Sequence, residues 1–120
     1  MQQPFEPLEF LNLAHDLANQ GEEARFRTAI NRAYYALFLI AREKTGVKGK
    51  RQVHRETINR VKRRSGYRTA GDQLDRLFRL RVTADYELLP NAPSDRDWVH
   101  NWSDARAIIA RILPKLQALS

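Results

Sequence analysis

The sequence predicts an all-α fold of five helices in one domain. Apolar residues recur at three-and-four spacing with little strand-like alternation, and proline and glycine cluster between those stretches. The length, 120 residues at 14.0 kDa, supports one hydrophobic core and no second full domain.

The first helix is expected from about Pro7 to Asn19, with Pro7 in the first turn and Phe10, Leu11, Ala14, Leu17 and Ala18 forming one stripe. Gln20 and Gly21 end it. The second, about Glu22 to Lys44, opens on two acids that suit the helix dipole and stops at Thr45-Gly46. Phe26, Ile30, Ala33, Leu37 and Ala41 make its main face, with Ala29, Ala36 and Ile40 on one flank and Tyr35 and Leu39 on the other. A helix apolar over most of its circumference is central or covered by a second chain, so a homodimer is expected. After a loop over Gly46 to Lys50, a third helix runs to about Arg64 with Val53, His54, Thr57, Ile58 and Val61 inward. The fourth runs from near Thr69 to Glu87, where LPNAPS interrupts the chain. Ser94 reads as the N-cap of the last helix, with Asp97 completing a capping box. Trp98, Trp102, Ala105, Ile109, Ile112 and Leu116 form its core stripe, and Pro114 should kink or fray its end.

Charge is unevenly spread. The chain carries +7, yet Lys48, Lys50, Arg51, Arg55, Arg60, Lys62, Arg63, Arg64 and Arg68 face only Glu56 in their stretch, a local +8 that leaves the rest near neutral. A basic block on a neutral domain points to a polyanion, nucleic acid above all, or else to a solvated surface. The block has no aromatic before Tyr67 and no broad apolar face, which argues against a membrane surface. The longest apolar stretches, such as Ala33 to Ala41, are far short of the roughly 20 residues of a bilayer span. With no cysteine and no signal-peptide anatomy, a cytoplasmic protein is expected.

The fourth helix carries an anomaly. Its inner stripe of Leu74, Leu77, Phe78, Ala84 and Leu88 includes Arg81 and Asp85, one turn apart. Burying charge is costly unless it is paired. Either the two satisfy each other, with help from Tyr34 or Asn31, or they line a cleft in which Arg81 offers its planar donors to a phosphate.

RTAINRAYYALFLIAREK (Arg27 to Lys44), followed about forty residues later by LFRLRVTADYEL (Leu77 to Leu88), resembles the HEPN superfamily. The specific parts are Arg32-Ala33-Tyr34-Tyr35-Ala36 and Arg81-x-x-Ala84-Asp85-Tyr86. The resemblance implies an up-and-down bundle of four to five helices that dimerises. It also implies a setting in toxin–antitoxin or phage defence, either as a metal-independent endoribonuclease or as the partner of a minimal nucleotidyltransferase or other effector. In active members an arginine precedes a histidine by four to six intervening residues, and the pair promotes attack of the ribose 2′-OH on its own phosphate. This chain departs from that pattern: Tyr86 stands where the histidine would be, and no arginine precedes a histidine at the required spacing. Tyrosine, with a reference pKa near 10, is a poor general base. Tyr86 could hydrogen-bond RNA, stack on a base or be modified by a nucleotidyltransferase, or it is simply a wet helix residue.

Of the three histidines, His54 is either a satisfied core residue or a neighbour of the Arg81 cleft that supplies the missing acid–base group. His100 reads as exposed and His15 as isolated. None has metal-ligand spacing with a carboxylate, so no metal is expected. No glycine loop or nucleophile elbow is present, and no cofactor is expected. Tyr34 and Tyr35 point about 100° apart, one inward and one toward a dimer face or cleft, while Arg27 and Asn31 form a polar edge beside Tyr34.

Overall fold

A computed structural model describes residues 5–86 and 97–120. It contains α1 (Leu8–Asn19), α2 (Glu23–Thr45), α3 (Val53–Arg63), α4 (Arg68–Tyr86) and α5 (Trp98–Ala118), with no strand among the described residues. The expected helices are all present, with ends shifted by up to three residues. No helix of the described residues is long and apolar enough to cross a membrane.

α2 is the central element and touches each of the other four helices. That explains its apolar breadth: Ala29, Ile30, Ala33, Tyr34, Ala36, Leu37, Phe38, Ile40 and Ala41 are all buried within this one chain. The small residues allow close approach, and Ile30, Tyr34 and Leu37 fill the space between helices. The breadth of α2 therefore does not itself require a second chain. Gly46 ends the helix in the left-handed region, at φ 73°, and its N–H donates to the carbonyls of Arg42 and Glu43.

α3 lies on α2 and α4, burying Thr57, Ile58 and Val61 and half-burying Val53 and His54. Its contact with α4 depends on Gly71, where a β-carbon would stand 2.4 Å from Lys62 Cγ and 3.0 Å from its backbone nitrogen. α5 buries Trp102, Ala105, Ile109, Ile112 and Leu116, together with Asn101 and Ile108.

Three expectations about α5 and its surroundings need correction. Ser94 lies outside the described residues, and the N-cap is Asp97, whose side chain accepts a hydrogen bond from the His100 N–H at 2.9 Å. That bond, followed by the contact with the His100 ring at 3.0 Å, holds the exposed Asp97 carboxyl below its usual range. Pro114 does not fray the helix, which continues past it to Ala118 with Ile112 and Leu116 buried on either side. His15 is not isolated: its ring meets Trp102 edge-on at 5.5 Å.

Candidate functional site

α2 and α4 run antiparallel. Arg27 and Asn31 reach Ala84 and Asp85, whereas Tyr34 meets Phe78, so rising numbers on one helix face falling numbers on the other. The last turn of α4 therefore sits against the first half of α2. Arg27 stitches this junction: Nη1 donates to the Ala84 carbonyl at 3.1 Å, Nε donates to Glu23 at 3.0 Å, and the guanidinium lies 4.3 Å from the Trp98 ring at the start of α5. A cation on the last carbonyls of a helix is also favoured by its dipole. Trp98, expected in the core, is half-buried beneath this guanidinium.

One turn along α2, Asn31 Nδ2 donates to both oxygens of Asp85, at 3.2 and 3.0 Å. Arg81 Nη1 donates to Asp85 Oδ2 at 3.1 Å. Arg81 is only 8% exposed, and its guanidinium carbon lies 5.2, 5.5 and 5.6 Å from the rings of Phe78, Tyr35 and Tyr34. Ring faces attract a desolvated cation by about 2 kcal/mol, which joins the carboxylate in offsetting the loss of water. Asp85, expected on the inner face, stands at the rim with its side chain 25% exposed. Two polar atoms of the cluster, Arg81 Nε and Asn31 Oδ1, are buried without a partner.

Beside this cluster opens a groove of about 550 Å³ lined by Ala24, Arg27, Thr28, Asn31, Arg32, Ala84, Asp85 and Tyr86. Tyr86 is 69% exposed at its edge. Arg32 leans toward the Phe10 ring, 5.2 Å away.

His54 occupies another position. Its Nδ1 is 2.7 Å from the hydroxyl of Tyr34, and its ring lies 4.2 Å from Phe38 and 5.3 Å from Phe78 between centroids. Burial lowers its pKa, and the Arg81 and Arg42 charges lower it further. Burial raises that of Tyr34, which is wholly enclosed. Tyr34 thus links the two histidine and arginine neighbourhoods, with His54 on its hydroxyl and Arg81 near its ring. Of the adjacent tyrosines, Tyr34 points inward and Tyr35 is half-buried.

The basic block divides. Arg55 pairs with Asp75, Arg60 with Glu56 and the Thr45 carbonyl, Lys62 with Asp72 and Asp75, and Arg64 donates to the Ser120 carbonyl. Lys48, Lys50, Arg51 and Arg63 are exposed and have no ion pair among the described residues. Because Arg60 meets Thr45, the body of α3 flanks the far half of α2, about 21 Å along the helix from Asn31. The structure thus brings together Asn31, Tyr34, Tyr35, Arg81 and Asp85, with Tyr86 at their rim and His54 behind Tyr34, and leaves Arg60 to Arg64 at the opposite end.

Several contributors carried little sequence signal. Asp72 and Asp75 lie outside the basic window yet neutralise part of it. Phe38 and Phe78 enclose His54 from two different helices. Among the described residues, no three His, Asp or Glu side chains converge as a metal site would need. Comparison with protein-family models, curated proteins and solved structures finds no match to the chain.

Proposed function

We propose that this protein is a HEPN-like RNA-binding protein that works as a homodimer in a toxin–antitoxin or phage-defence setting, and that it holds RNA rather than cutting it. The observation that carries this reading is the meeting of the two motif segments. Arg81 and Asp85 of one lie against Tyr34, Tyr35 and Asn31 of the other, beside a groove edged by Arg32 and the exposed Tyr86 ring. An exposed ring next to arginines suits single-stranded RNA, which is gripped by stacking and phosphate contacts. Binding is favoured over cleavage because Asp85 holds Arg81 Nη1 and the groove lining contains no histidine.

The rival reading is an interaction subunit for a nucleotidyltransferase or another effector. It draws support from the internal pairing of Arg55, Arg60 and Lys62, which leaves fewer cations for phosphate.

The test is to incubate the protein with a pool of tRNA and structured RNA in EDTA, following cleavage and retention at 50 and 200 mM salt. Retention that weakens steeply with salt and with Arg32→Gln or Tyr86→Ala, without cleavage, is the expected result. Cleavage would replace this reading with the nuclease one, and absence of binding would favour the interaction subunit.

A further inference from the structure

The His54 ring is held in one tautomer by a group that is itself immobile. Tyr34 is wholly buried, and its hydroxyl has no partner among the described residues other than His54 Nδ1. A phenol in such a place keeps its proton and must donate it, because a buried O–H without an acceptor is a defect that folded proteins avoid. The acceptor available is Nδ1, which therefore carries a lone pair. A neutral imidazole with a lone pair on Nδ1 carries its proton on Nε2.

Nε2 has no partner among the described residues and is not one of the buried unpaired atoms, so it lies on the open edge of this half-buried ring. The faces of the ring are engaged by Phe38 and Phe78. The loop leading into α3 brings the exposed Lys48, Lys50 and Arg51 to within a few residues of it.

We infer that His54 is a fixed hydrogen-bond donor of the RNA-binding surface, directing Nε2–H at a phosphate oxygen, and that Tyr34 is the positioning residue that sets this tautomer. The inference rests on the RNA-binding reading above. It excludes a general-base role for His54, one of the roles the sequence left open, because the nitrogen available to a substrate carries a proton and no lone pair. Protonation of Nδ1 would displace the Tyr34 proton from its acceptor and add a cation beside Arg81 and Arg42, which keeps the ring neutral.

Two measurements on the full chain test this. Ring nitrogen shifts of His54 in uniformly ¹⁵N-labelled protein at pH 7, assigned with His54→Gln, should show a bare Nδ1 and a protonated Nε2. In Tyr34→Phe the two tautomers should mix. Anisotropy of a labelled single-stranded RNA should show His54→Ala binding about tenfold more weakly. His54→Gln, which offers a donor that cannot titrate, should restore most of the affinity. A proton on Nδ1 in the wild type would overturn the inference, as would unchanged affinity in His54→Ala, Gln no better than Ala, or RNA cleavage that requires His54. Those outcomes, with RNA still bound by the wild type, leave the RNA-binding reading standing. Failure of the wild type to bind RNA at any salt overturns both.

Discussion

At the Asn31 end of the α2–α4 pair, one buried guanidinium meets one carboxylate and three aromatic rings; on α3, Arg55, Arg60 and Lys62 share the carboxylates of Glu56, Asp72 and Asp75. The first arrangement concentrates a large electrostatic stake in few atoms. Arg81 has lost its hydration and depends on Asp85 and the rings of Phe78, Tyr35 and Tyr34 to offset that loss. The second spreads its charge over several pairs; the side chains of Arg60 and Glu56 are 42% and 46% exposed, and a pair so placed is worth about 0–1 kcal/mol. Local charge density in a sequence is thus a poor guide to which charges are energetically important.

The sharpest way to break the comparison is to remove one partner from each arrangement. Asp85→Ala leaves the Arg81 charge buried without its carboxylate and should destabilise the fold by about 3–5 kcal/mol, whereas Glu56→Ala, opposite the exposed Arg60, should cost under about 1 kcal/mol. Urea unfolding midpoints read both, and equal effects would dissolve the distinction.

Gly71→Ala comes next, because its new methyl must displace Lys62 and with it the contact between α3 and α4. A loss of about 1–3 kcal/mol is expected, again by urea unfolding, and a neutral result would mean that α3 yields to the new methyl without losing its hold on α4.

The basic surface can be sharpened by two triple variants. Replacing Lys48, Lys50 and Arg51 by glutamine should lower the salt slope of RNA binding by about 2, roughly 0.7 for each single-strand phosphate contact. Replacing Arg55, Arg60 and Lys62, which already have carboxylate partners, should change it by less than about 1.

A smaller effect is expected from pH. His54 resists protonation in the fold, through burial and then the Arg81 and Arg42 charges, while in the unfolded chain it titrates near 6.5. Below that value the unfolded state binds the proton more readily, so stability should fall as pH drops from about 6.5 toward 5 and be unaffected by this group above it. His54→Gln should flatten that slope. The smallest change is Asp97→Ala, which removes the α5 cap and should cost about 0.5–1 kcal/mol in thermal or urea unfolding.

Periodicity made the helices legible, since three-and-four spacing reports one buried face directly. It also identified Arg81 and Asp85 as an anomaly, because i and i+4 positions share a face, and offered Tyr34 or Asn31 of α2 as a partner; the structure gives Asp85 to Asn31. His54 was legible as a candidate, but its role was not, because that depends on a hydroxyl from α2 and rings from α2 and α4. The cap at Asp97 was displaced from Ser94 because several residues before the helix offer suitable side chains, and local pattern alone does not choose among them.

By itself the sequence determined the all-α class, the apolar breadth of α2 and the presence of a charged pair on an apolar stripe, since each follows from spacing along one chain. Tertiary structure alone decided that Asp72 and Asp75 neutralise cations of α3, that Arg27 joins the end of α4 to the start of α5, and that the Tyr34 hydroxyl meets His54 Nδ1. Those outcomes turn on distances between helices. Hydrogen bonds and ion pairs act over a few ångströms, and residues far apart in sequence come within that range only when the helices pack.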